Sequence, residues 1–213
     1  MVFGKDKYKR QTFAQEGEDR VLMRAFGKKN GFYVDVGAHH PQRHSNTYLF
    51  YKKGWHGINI DAQPGTMKAF EKIRSRDTNL EMAIGEEEGV QSFFIFKDGA
   101  FNTFDEAIAR QRQQEGVELD RVVELPVRRL ESVLREYLEP GEQIDFLSVD
   151  VEGLDLPVVR SNDWQAFRPE FVLAESLNSD LDGLMDSPLT RFMDEQGYGL
   201  YAKTVNTVFY RRR

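Results

Sequence analysis

The sequence predicts an α/β domain whose strands run mostly parallel, and three observations carry that expectation. The stretch Phe32 to Val36, FYVDV, is a short apolar run broken at once by Gly37-Ala38, as in a strand buried on both faces. Such runs alternate with helix-patterned segments, and strands that lie parallel need crossovers of that kind. Two short runs at the end, Leu200 to Lys203 and Thr207 to Tyr210, read instead as a closing antiparallel hairpin.

In chain order, Gln15 to Phe26 places Val21, Leu22, Ala25 and Phe26 on one stripe and predicts a helix that stops near Gly27. After the first strand, Asn46 to Lys53 reads as a short helix ended by Gly54. His56 to Asp61 makes the second strand, and Pro64 opens a helix with Met67, Phe70 and Ile73 on one face. Asn79 to Gly85 is expected as the third strand. Gln91 to Phe96 and Val122 to Val127 are strand-like and flank a helical stretch, so residues 86–128 are expected to insert over the sheet's carboxyl edge as a lid. Leu130, Val133, Leu134 and Tyr137 form a helix stripe stopped by Pro140-Gly141. Ile144 to Asp150 and Phe171 to Glu175 are the fourth and fifth strands. Between them, Ser161 to Trp164 reads as a helix exit with a buried anchor. Ser187-Pro188 starts a last helix, which Gly197 stops. With no repeat and no linker of low complexity, residues 1–213 are expected to form one domain.

Composition narrows the function classes. Hydrophobic content of 40% with 30% charged residues is that of a globular protein, and no apolar run approaches the roughly 20 residues of a membrane span. The net charge of -6 argues against a nucleic-acid backbone as partner, and the basic runs (Lys5 to Arg10, Arg128-Arg129, Arg211 to Arg213) are short and scattered. Zero cysteines exclude disulfides and thiolate metal sites. The opening MVFGKDKYKR has no signal-peptide core, so a cytoplasmic location without membrane attachment is expected. A homo-oligomer is left open.

Four acids, Asp35, Asp61, Asp150 and Glu175, fall within or at the carboxyl ends of expected core strands, where open parallel sheets hold their ligands. Each could instead cap a helix or pair with an arginine; together they mark one crevice. The interval from Gly37 to Asp61 is close to the glycine-to-acid interval of about 20 residues that places an acid on ribose hydroxyls. Yet His39 and Gln42 occupy the places of the glycines that admit a pyrophosphate. The pattern suits a cationic nucleoside without phosphates, such as S-adenosylmethionine.

Beyond these patterns the chain resembles the FkbM-type methyltransferases, of the class I S-adenosylmethionine-dependent fold. The likeness lies in Gln15 to Asp19, Phe32 to Pro64, Arg76 to Gly85, Phe101 to Asp105, Ile144 to Trp164 and Arg168 to Glu175. It implies a doubly wound, Rossmann-like, seven-stranded sheet whose last strand is antiparallel. It also implies methyl transfer to a hydroxyl of a sugar, glycan or polyketide-type small molecule. By position, Asp35, Gly37 and Ala38 would hold the methionine part of the cofactor, and Asp61 with Ala62 the ribose. Ala83 and Ile84 would border the adenine, with Asp150, Val151 and Glu152 beneath the reacting centre. The pair His39-His40 departs from the small residues usual in that loop, and Gln15, Asn46 and Thr47 are further candidates for holding the methionine carboxylate.

An alcohol acceptor must lose a proton, and His39 or His40 has the pKa for a base at neutral pH; either could instead shape the loop. Asp150 and Glu152, with Glu175, offer a second route, a Mg²⁺ ion that acidifies the acceptor hydroxyl. Phe101 to Asp105 could touch the acceptor or pin the lid. A cofactor-binding module without catalysis is the alternative from another class, and a nicotinamide-dependent oxidoreductase is disfavoured by the missing glycines.

Overall fold

Alternation along the central strands sorts the core. In a computed structural model, which describes residues 10–151, 153–177 and 180–213, the chain forms a seven-stranded sheet. Lys5 to Lys9, from the basic run, and Glu152 lie outside the described residues. Strand β1 (Phe32–Val36) is buried throughout and pairs in parallel with β2 (His56–Asp61) on one side. On its other side lies β7 (Phe146–Val149). Beyond β2 lies β3 (Thr78–Glu81); beyond β7 lies β8 (Phe171–Glu175), both parallel. The terminal hairpin of β9 (Tyr198–Lys203) and β10 (Thr207–Arg212) closes the sheet, with β10 antiparallel to β8 and β9 outermost. The order β3-β2-β1-β7-β8-β10-β9 is the expected mostly parallel, Rossmann-like sheet with its antiparallel end.

Side chains two apart on a strand share a face. Val34, Val36, Ile58, Ile60, Leu147 and Val149 therefore point to one side. There they pack on α5 (Leu130–Tyr137), α6 (Asp155–Arg160) and α8 (Pro188–Glu195). Tyr33, Phe146, Phe171 and Phe209 point the other way. Against them lie Leu22 and Phe26, from and just beyond α1 (Glu18–Ala25), and Phe50 of α2 (Tyr48–Lys52) with Trp55. Phe50 and Trp55 meet edge to face at 4.8 Å, Phe26 and Trp55 at 5.2 Å, so the aromatic residues before β2 are core. Toward the carboxyl end this second face turns polar, with Asp35, Asn59 and Ser148 taking the alternate positions.

Three expectations need correction. The single strand expected over Asn79 to Gly85 is two. After β3 the Met82 N–H bonds the Asp61 carbonyl at 3.0 Å, and the chain leaves the main sheet. Strand β4 (Ala83–Ile84) then joins a separate three-stranded sheet, in the order β4-β6-β5, with β5 (Gly89–Phe96) and β6 (Leu119–Arg128). The fourth central strand is shorter than Ile144 to Asp150, because Asp145 turns its carboxylate onto the Phe32 N–H and closes the strand's start. A short helix, α7 (Leu181–Met185), was not foreseen: it is only five residues long, with Leu184 its buried anchor while Leu181 and Met185 are exposed. The remaining helices are α3 (Met67–Ile73) and α4 (Glu106–Gln114), the latter capped by Asp105.

Candidate active site

Two loops touch at the carboxyl edge between β1 and β7. The Gly37 and Ala38 N–H groups both donate to the Ile60 carbonyl, at 2.9 and 3.1 Å, and the Asp150 N–H donates to the Val36 carbonyl at 2.9 Å. Gly37 has φ of 82°, and a Cβ there would lie 1.8 Å from the Asp150 carbonyl oxygen. Only glycine allows both that backbone conformation and that approach. Asp35 lies within β1, Asp61 ends β2 and Asp150 follows β7, so all three belong to the carboxyl halves of neighbouring strands.

Asp61, at the end of β2, is gripped by backbone. One carboxylate oxygen accepts from the His39 N–H at 2.7 Å and the other from the Gln63 N–H at 2.9 Å. Burial pushes its pKa up, and the two N–H donors pull it partly back. Each oxygen keeps a further lone pair for a ligand hydroxyl.

The loop from His39 to His44 is held in an unusual shape. His39 and His44 have φ of 51° and 53°, a region that non-glycine residues occupy sparingly and mostly near functional sites. The His40 Nδ1 accepts from the Gln42 and Arg43 N–H groups, at 3.1 and 2.9 Å. Burial lowers the His40 pKa, and the neighbouring His39, Arg43 and His44 push it the same way. His40 is thus a brace built into the loop, whereas the His39 side chain is exposed.

Behind the loop lies a polar cluster centred on a residue that the sequence reading passed over. Arg74, at the end of α3, is fully buried. Its Nε pairs with Asp77 at 2.9 Å, and Nη1 donates to the Pro41 carbonyl at 3.1 Å. Its Nη2 reaches the Tyr33 hydroxyl, Thr47 Oγ1 and Asn59 Oδ1, at 2.7, 3.0 and 3.3 Å. Thr47 in turn donates to Asp35 Oδ2 at 2.9 Å. Asp35 is buried, and desolvation drives its pKa up to about 6, against the pull of Thr47, Arg74 and Ser148. The rings of Tyr51, Tyr33 and Tyr48 surround the guanidinium, so these aromatics cage a protein cation. A signal was present: an arginine and an aspartate three apart at the end of a short helix, opposite a tyrosine in a core strand.

A family model described as the methyltransferase FkbM domain matches residues 35–200, more than three quarters of the chain. The chain belongs to that family. It is an S-adenosylmethionine-dependent methyltransferase. Among solved structures it is similar to a TehB-like SAM-dependent methyltransferase from Corynebacterium glutamicum, at 8% identity over 93% of this chain and 89% of that one, TM-score 0.47. It is also similar to a precorrin-6y C5,15-methyltransferase from Geobacter metallireducens, at 10% identity over 92% of this chain and 87% of that one, TM-score 0.46. No curated protein matches the chain.

The donor set fits the family's cofactor. A sulfonium and an ammonium suit an edge carrying Asp35, Asp61 and Asp150, and an acid gripped as Asp61 is can accept from ribose hydroxyls. Around it, Ala38 is buried against Met67 and Phe70, and Ala62 is half-buried beside Asp61. Ala83 is buried and Ile84 half-buried, both in β4 rather than at the end of a main-sheet strand. Asp150 is exposed at the edge with Val151 half-buried after it, while Glu152 lies outside the described residues.

Glu175 ends β8, where its N–H donates to Asp155 Oδ1 at 2.9 Å. No group of three His, Cys, Asp or Glu able to hold a metal ion occurs among the described residues. Asn46 donates to Ser148 Oγ at 3.1 Å, and Thr47 serves the Arg74 cluster. Gln15 is exposed; its neighbours Glu16 and Glu18 accept from Asn206, Thr204 and Thr207, which makes Gln15 to Asp19 a clasp on the β9–β10 turn. Ser161 to Trp164 is the expected anchor, with the Trp164 indole N–H on the Val159 carbonyl at 2.8 Å. In the stretch Phe101 to Asp105, Asn102 accepts from the Phe96 N–H and donates to Gln63 at 3.0 Å, tying the small sheet to the loop after Asp61.

Proposed function

We propose that this protein methylates a hydroxyl of a sugar, glycan or polyketide-type small molecule. The cofactor sits over Gly37 with its ribose on Asp61. The observation that carries this reading is the Asp61 carboxylate, held by the His39 and Gln63 N–H groups at the edge where Gly37 meets Asp150. Bound there, S-adenosylmethionine supplies an activated methyl group, and the chain's task is alignment, which can lower a barrier by roughly 7–11 kcal/mol. Asp35, Gly37 and Ala38 hold the methionine end, Ala62 lies beside the ribose, and Ala83 and Ile84 border the adenine. Asp150 would lie by the reacting centre. His39 is the favoured base, because its ring is exposed while His40 spends Nδ1 on the backbone. Residues 86–128 act as a lid, which the Asn102–Gln63 bond moors to the loop after Asp61.

One observation favours a second reading, a cofactor-binding module without turnover: the bracing role of His40 leaves only His39 of that pair for proton removal. Incubation with methyl-labelled S-adenosylmethionine and a panel of hydroxyl-bearing sugars, glycans and polyketides separates the two. A labelled methyl ether supports the enzyme. Tight cofactor binding with no transfer to any hydroxyl supports the module, and a chelator in parallel reactions reads the Mg²⁺ route separately.

A further inference from the structure

We propose that Arg74 and Thr47 are positioning residues of the cofactor site. They link the end of α3 to the β1 acid and keep that acid ionised where the cofactor's cationic end is bound. The inference rests on the site proposed above.

The geometry is that of a relay centred on Arg74. Arg74 reaches five acceptors, and Asp77 is its ionic partner, itself bonded by the Tyr33 hydroxyl at 2.8 Å and by Asn59 at 2.9 Å. Two of the arginine's bonds lead toward the active edge. One holds the Pro41 carbonyl and with it the His39–His44 loop; the other runs through Thr47 Oγ1 to Asp35. The hydroxyl has one proton; Arg74 donates to its oxygen, Ser45 Oγ lies 3.2 Å away and can donate as well, and the proton goes to the Asp35 carboxylate at 2.9 Å.

Four groups face Asp35: Thr47 ahead of α2, Arg74 from α3, Ser148 on β7 and Asp61 at the end of β2. Thr47, Arg74 and Ser148 favour the carboxylate, and Asp61 opposes it. A buried acid so balanced is half-ionised at about pH 6, and losses on the favouring side move that point toward neutrality. A protonated Asp35 offers no charge to an ammonium or sulfonium group.

Thr47→Val keeps the shape, leaves the Arg74–Asp77 pair in place and removes the relay. The test is calorimetric titration of S-adenosylmethionine into the full chain between pH 5.5 and 8.5, for wild type, Thr47→Val, Arg74→Lys and Asp61→Ala. In Thr47→Val the pH at which affinity is half lost moves alkaline by about one unit, since a hydrogen bond to a charged acceptor is being removed. Affinity then returns to the wild-type level at the alkaline end. Arg74→Lys, which keeps the charge, shifts the profile less than Thr47→Val. A merely structural role lowers the melting temperature and leaves the profile where it was; that result overturns the relay while Asp61→Ala still weakens binding. Wild-type affinity in Asp61→Ala takes down the site and the relay together.

Discussion

At the scale of single residues, the site is dominated by acids that folding makes uncomfortable. Asp35 goes from an ordinary carboxylate in the unfolded chain, 3.8, to about 6 when folded. Between those values the folded protein binds more protons than the unfolded one. The group's contribution to stability is fully present below the unfolded value and is lost as pH rises through 6, a loss of about 3 kcal/mol for a shift of that size. Asp35→Asn is expected to melt higher than wild type at pH 7.5, with the gap closing toward pH 4, while cofactor affinity falls. A melting gap that does not vary with pH would contradict the assignment. For the two histidines the expectations differ. His39→Ala slows turnover by about 10²-fold or more with cofactor affinity unchanged, as loss of a base does. His40→Ala leaves the Gln42 and Arg43 N–H groups without their acceptor, and shows first as a lower melting temperature and weaker cofactor binding. Equal kinetics in the two variants would remove the distinction drawn between brace and base. The sequence suggested both roles but could not say which histidine takes which, since the two are identical neighbours; the Nδ1 contacts of His40 tell them apart.

At the scale of elements, the strands were the most legible part, because a buried parallel strand has a composition that little else in a folded chain shares. Phe32–Val36, His56–Asp61 and Phe171–Glu175 have the bounds that their apolar runs and terminal acids mark. The split between β3 and β4 left no such mark, since Met82 continues the apolar pattern while its N–H makes the last bond to β2. Gly85, just after β4, fits closely against the small sheet: a Cβ there would come within 2.9 Å of the Val127 side chain. The Arg74 cluster was hidden for a different reason. Its members come from β1, the loop before α2, the end of α3 and β2, and no local pattern joins them. Gly37 is where element and site coincide. Gly37→Ala sets a left-handed backbone cost of about 1–2 kcal/mol on top of a collision with the Asp150 carbonyl. It is expected to lower the melting temperature by more than about 4 °C and to weaken cofactor binding. A variant that melts and binds as wild type does would show that β1 and β7 are not held together here.

At the scale of the whole molecule, the main sheet carries two unlike faces. One is aliphatic, beneath α5, α6 and α8; the other is aromatic near the strand starts and polar near their ends, beneath α1 and α2. That gradient leads the polar groups to the carboxyl edge, and there the small sheet of β4, β5 and β6 is moored through Asn102 and Gln63. Asn102→Ala removes that mooring; faster hydrogen exchange at residues 99–104 is expected, with the central strands unchanged. Unaltered exchange would mean the small sheet is held elsewhere. The sequence carried the architecture of the main sheet and pointed to its carboxyl edge as the cofactor site, and it left the acceptor open because the loops that would select it carry no repeating pattern. The central claim is that the edge beside Asp61 binds a cationic nucleoside. Titration of S-adenosylmethionine into wild type and Asp61→Ala at one pH tests it most directly: one site per chain in wild type, and affinity lower by at least about tenfold in the variant, the worth of a charge-assisted hydrogen bond. Equal affinity in the two proteins would contradict it.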